Sequence, residues 1–133
     1  MENMTQSYYT LADGKSAIDF ICLYHLGFFY GNAFKYCVRA SRKPGNSAES
    51  DINKALVYIT SSHNEISVIK RLWMRIYNIF TFSADVQFAD EEMSRILRSI
   101  ILYDDPSSIA ARLVKYASKR GINVKPEFEK YGR

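Results

Sequence analysis

Apolar residues recur along this chain at intervals of three and four, the period of a helix that buries one face. Ala17, Ile18, Ile21, Cys22 and Leu26 keep that spacing and predict a helix from about Lys15 to His25. Gly27 ends it, and Phe28-Phe29-Tyr30 leads into a second helix from about Gly31 to Arg42. Pro44-Gly45-Asn46-Ser47 breaks the pattern, since proline ends helices and glycine supplies turns. A third helix is expected from Ser47 or Ala48 to about Thr60, its first turn carrying Glu49 and Asp51 to suit the helix dipole. The strongest pattern follows a polar gap at Ser61-Ser62-His63-Asn64. It runs from about Glu65 to Phe80, with Asn64 as expected cap and Ile66, Ile69, Leu72, Trp73, Ile76, Tyr77 and Phe80 as a buried stripe.

Residues Thr81 to Ala89 read as a loop or short strand. Asp90 to Tyr103 and Pro106 to about Lys119 close the pattern as two more helices, the last opened by Asp104-Asp105-Pro106 and ended by Gly121. No pair of alternating runs argues for a sheet. The expectation is an all-α fold, a small single-domain bundle of about five to six helices. Residues 1–14 form an N-terminal extension, 15–121 the domain, and 122–133 a polar peripheral tail.

Composition adds little to that picture and excludes some classes. At 133 residues, 47% hydrophobic and 24% charged, the chain has the material for one core and is not expected to be disordered. The apolar stretch Phe20 to Phe34 falls short of the roughly 20 residues a membrane helix needs, and the N-terminus lacks the pattern of a signal peptide. Cys22 and Cys37 are expected as buried free thiols in a reducing cytosol. His25 reads as a core histidine, and neither it nor His63 stands at metal-ligand spacing with a cysteine or carboxylate, so no metal is expected. A net charge of +4 suits an anionic partner.

Charge position is more informative than total charge. On a helix, Asn32, Lys35, Arg39 and Arg42 share one face, and Lys43 extends the stripe into the turn. Guanidinium and ammonium donors converging on one side suit a phosphate. In the next helix Asp51, Lys54 and Tyr58 share a face, offering a carboxylate, an amine and a phenol to the sugar, base and phosphate of a nucleotide. The same residues could equally pair across the turn, with Asp51 and an arginine forming a surface salt bridge of about 0–1 kcal/mol. Lys70, Arg71 and Arg75 read as a solvated face. Arg95, Arg98, Arg112, Lys115, Lys119 and Arg120 carry no recognised nucleic-acid motif.

Gly31-Asn32-Ala33, Lys35-Tyr36, Arg39 and Arg42-Lys43, followed by Asp51, Lys54-Ala55 and Tyr58, resemble the signature of the SaV-like family of small phage proteins. Ala17-Ile18-Asp19-Phe20 resembles the helix before that block, so the likeness spans 17–59. Val38 departs from the family's frequent aromatic and Ser41 from its frequent glycine, and nothing after Ile59 matches. The family includes a nucleotide kinase of a short-tailed coliphage. The resemblance therefore implies a phage-encoded nucleotide-binding protein, kinase-like toward nucleoside monophosphates, with ATP as co-substrate, in the host cytoplasm.

The chain has no Gly-x-x-x-x-Gly-Lys-Ser/Thr loop, so a kinase would have to rely on positioning by Lys35, Arg39, Arg42 and Lys54. Two alternatives stay open: a protein that sequesters a host nucleotide signal without catalysis, and an inhibitor that binds a host protein. The expected partners are nucleotides and further copies of the chain, with no membrane and no nucleic acid.

Overall fold

A computed structural model describes residues 16–42, 47–64, 66–81 and 90–132. The described residues are helical, without a strand, and form one hydrophobic core. Helix α1 spans Ala17–Leu23, α2 Phe28–Arg42, α3 Ser47–Ser61, α4 Val68–Thr81, α5 Glu91–Ile101 and α6 Pro106–Lys119. Two 3-10 segments, Ser62–Asn64 and Pro126–Gly132, take the helical elements beyond the expected five to six. The region 82–89, expected as a loop or strand, lies outside the described residues, as do 1–15 and Lys43.

Local chemistry explains the helix starts. The Asp90 carboxylate accepts from the backbone N–H of Glu92 and Met93, and Asp105 does the same for Ser107 and Ser108, with Pro106 in the first turn. Asn64 falls in a 3-10 turn, and the cap of α4 passes to Ser67, whose Oγ accepts from Lys70 N at 3.1 Å. Helix α2 begins a turn earlier than glycine content suggests, because Phe28 to Tyr30 are helical. Gly31 lies buried inside it, where a Cβ would sit 3.3 Å from Ile21 Cγ2. That close approach brings α1 onto α2.

Phe20, Tyr24, Phe34, Leu56, Ile59, Met93, Leu97 and Ile100 fill the core, drawn from α1, α2, α3 and α5, while Ile109 and Leu113 of α6 close it. Two turns that end helices carry residues in the left-handed region, His25 (φ 53°) and Tyr103 (φ 52°), and they are tied to each other. The Tyr103 hydroxyl donates to the His25 carbonyl at 2.9 Å and accepts from Gly27 N at 3.0 Å. Tyr30 stacks on Tyr103 at 4.4 Å and donates to the Asp104 carbonyl at 2.7 Å. Each bond offsets part of the backbone strain.

Five expectations are corrected. The tail is docked: Phe128 is buried, Gly132 lies so close to Val114 that a Cβ would clash, and Asn53 on α3 bonds Asn123 O and Lys125 N. His25 is exposed, its ring edge-on to Tyr77 at 5.2 Å, because its backbone serves the turn and leaves the side chain outside. Cys22 is exposed, whereas Cys37 is buried. Most consequentially, the α4 stripe is not core. Trp73 is 69% exposed and Phe80 85%, because the other side of α4 docks through polar groups. Asn78 donates to the Ile101 carbonyl, Arg75 pairs with Asp104, and Arg71 pairs with Asp105. Arg71 and Arg75 therefore tie α4 to the α5–α6 turn and do not form a solvated face.

Candidate functional site

The α2–α3 hairpin divides the residues singled out in the sequence into a buried pair and an exposed rim. Arg39 and Asp51 point at each other between the helices, Nε to Oδ2 at 3.2 Å, with side chains 10% and 1% exposed. The inter-helix bridge allowed for in the sequence thus forms, but inside the protein and not at its surface. There each ion gives up water, and the opposite charge offsets part of that desolvation cost. Beside it, burial pushes the Cys37 thiol far above its usual range, and the Asp51 charge adds to that. This keeps Cys37 a neutral thiol.

Lys35, Lys54 and Tyr58 face outward, fully or in part. They meet around Tyr36, which the sequence reading quoted only as part of the family block. Tyr36 stacks on Tyr58 across the hairpin, centroids 5.9 Å apart and planes within 10°. Lys35 Nζ lies 4.5 Å from the Tyr36 centroid and Lys54 Nζ 5.3 Å, so ammonium groups from both helices sit over one ring. Phe28 completes the cluster, edge-on to Tyr58 at 5.5 Å and 67% exposed. Asn32 is half-buried and spends its amide on the Phe28 carbonyl of its own helix, at 2.7 Å. The side chain of Arg42 and the whole of Lys43 lie outside the described residues.

Phe28 and Lys35 also border a groove of about 350 Å³ between α1 and α2, with Ile18, Ile21, Leu26 and Asn32 along it. The groove and the aromatic cluster are therefore continuous: an apolar channel leads to two cations on a stacked pair of phenols. A larger concavity, about 430 Å³, lies between α6 and the C-terminal segment. It is lined by Lys115 and Glu129 together, which leaves it no excess of positive charge for an anion. Lys54 also borders a third hollow, of about 330 Å³, shared with Glu49 and Lys125.

Of the eight residues named from the sequence, the structure gathers Lys35, Lys54 and Tyr58 on one surface with Asn32 at its edge, and withdraws Arg39 and Asp51 into a pair. Phe28 and Tyr36 were missed as site residues. For Tyr36 the available signal was its place beside Lys35, on a helix antiparallel to one carrying Tyr58 four residues beyond Lys54. Chemically the surface can hold a flat ring against Phe28 or the tyrosines and an anion between the lysines. Among the described residues no group of three His, Cys, Asp or Glu side chains converges to hold a metal, and no helix is long and apolar enough to cross a membrane. No family model, curated protein or solved structure matches the chain.

Proposed function

We propose that the chain is a nucleotide-binding protein whose ligand sits on the Phe28, Lys35, Tyr36, Lys54 and Tyr58 surface. One observation carries the reading: two ammonium groups from different helices converge on a stacked aromatic pair that is continuous with an apolar groove. Stacking takes up a base whatever its identity, and the lysines supply charge where a phosphate would lie. The resemblance of 17–59 to the SaV-like phage proteins, carried in part by Lys35-Tyr36, Lys54 and Tyr58 themselves, supports the same ligand class, and with it a phage origin and a place in the host cytoplasm. It further implies that the bound nucleoside monophosphate receives a phosphoryl group from ATP.

Calorimetric titration with mono-, tri- and cyclic nucleotides, followed by product analysis of each mixture with ATP, tests both levels. Lys35→Ala and Lys54→Ala are each expected to weaken binding about tenfold, the worth of one charge-assisted contact. Formation of a nucleoside diphosphate establishes the kinase reading. Binding without product favours sequestration of a nucleotide signal. No binding by any nucleotide refutes the proposal and leaves inhibition of a host protein.

A further inference from the structure

Helix α4 is turned inside out relative to an ordinary surface helix. Its polar side chains Arg71, Arg75 and Asn78 face the body and are engaged there, by Asp105, Asp104 and the Ile101 carbonyl. Apart from Met74, which packs against the core, its apolar side chains face away. At about 100° per residue they cover half the helix circumference, with Trp73, Phe80, Ile69, Leu72 and Ile76 as the main surface. An amphipathic helix packed by its polar side leaves its hydrophobic driving force unspent until something covers the other side.

We infer that α4 is a self-association surface, and that the partner is a second copy of this chain docked face to face on its own α4. Area and charge select that occupant. The eight large apolar side chains exposed between Val68 and Phe80 present on the order of 1,000 Å², against roughly 800 Å² that each partner contributes to a standard interface. The eight carry no charge, and exposed Lys70 stands at the Tyr77 edge of the face, so a two-fold contact centred on Leu72, Trp73 and Ile76 keeps that cation at its rim. A lipid surface fits less well. Of the basic side chains on α4, Arg71 and Arg75 are paired with carboxylates of the α5–α6 turn, and Lys70 alone is exposed to reach lipid phosphates. The inference is independent of the nucleotide reading.

Trp73 is the only tryptophan of the chain, which places a reporter at the centre of the surface. Sedimentation and tryptophan emission are measured on the full chain over a dilution series, with Leu72→Glu and Ile76→Glu as variants. The expected mass is twice 15.4 kDa, falling to 15.4 kDa on dilution while Trp73 emission moves to the red. Each substitution occurs twice in a symmetric dimer and is expected to raise its dissociation constant on the order of a thousandfold. Helicity stays at the native level, because both positions are about half exposed in the monomer. A mass of 15.4 kDa at every concentration overturns the inference. In that case a shielded Trp73 assigns the face to a segment of the same chain, and emission that shifts only with phosphatidylcholine–phosphatidylglycerol vesicles assigns it to lipid. A dimer indifferent to both substitutions overturns it as well, by locating the contact elsewhere.

Discussion

Replacing Asp51 by Asn keeps the shape of the side chain and removes its charge, leaving the Arg39 guanidinium confined between α2 and α3 with 10% of its surface exposed. At 3.2 Å and an effective dielectric of about 20 the two charges attract by about 5 kcal/mol. Desolvation of both ions opposes this by several kcal/mol, so the intact pair is close to neutral relative to an apolar filling of the same volume. Breaking it is a different matter. The remaining charge keeps its desolvation penalty and loses the opposite charge at 3.2 Å, which costs about 3–5 kcal/mol. We expect Asp51→Asn and Arg39→Met each to lose that amount in urea unfolding followed by circular dichroism at fixed chain concentration. Arg39→Met combined with Asp51→Leu should return to within about 1 kcal/mol of the native chain, or exceed it. Losses below about 1 kcal/mol in both single variants would refute the buried-pair reasoning and return Arg39 to the surface as a candidate phosphate ligand.

Further expectations follow from the same packing. Tyr103→Phe leaves the His25 carbonyl and the Gly27 N–H without their shared partner and should cost about 1–3 kcal/mol in urea unfolding; no loss would show that solvent replaces both bonds. Native protein should react at Cys22 alone with a thiol reagent, and at Cys37 only after unfolding, because Cys37 is fully buried and its thiol is held neutral; two fast thiols would contradict this. Arg120 hydrogen-bonds Glu92 at 3.0 Å, and that bond, ahead of the charge of Lys119, holds the Glu92 carboxyl below its ordinary 4.5. A lowered folded value means stability that is present above pH 4.5 and lost as pH falls through the lowered value. Arg120→Ala should therefore reduce the urea midpoint modestly at pH 7 and progressively less in acid, the effect being small because the carboxyl is open to solvent. An equal reduction at both ends of the range would assign Arg120 a packing role on Tyr116, whose ring lies 3.7 Å below it.

The parts of this fold that rest on local chemistry were legible in the sequence. Asp90, and Asp105 followed by Pro106, start helices because a carboxylate and a missing N–H act within three residues of themselves. What depends on how helices cross was not. The Trp73 stripe shows that α4 has an apolar face, but periodicity does not say what lies against it. The answer came from Asp104, Asp105 and the Ile101 carbonyl, 23 to 34 residues further along the chain, which claim the opposite face. Arg39 sits with Lys35 on any helical wheel. It goes inward to Asp51 of α3 at 3.2 Å, while the Lys35 ammonium turns to the Tyr36 ring. Phe128 and Tyr131 stand in a short, largely polar run that keeps no helical period over several turns, yet Phe128 is buried and Tyr131 packs beside the core, docking the tail. In the candidate site the sequence supplied the lysines and Tyr58; the Tyr36–Tyr58 stack needed the hairpin register.

The most direct test of the central claim is calorimetric titration of a deoxynucleoside monophosphate, beside its unphosphorylated nucleoside, into the native chain and into a Lys35→Ala, Lys54→Ala double variant of native helicity. The account predicts that the native chain binds the monophosphate at least tenfold more tightly than the nucleoside, and that the double variant loses this preference. Equal affinity of the two proteins for the monophosphate, or no heat from the native chain, would contradict it.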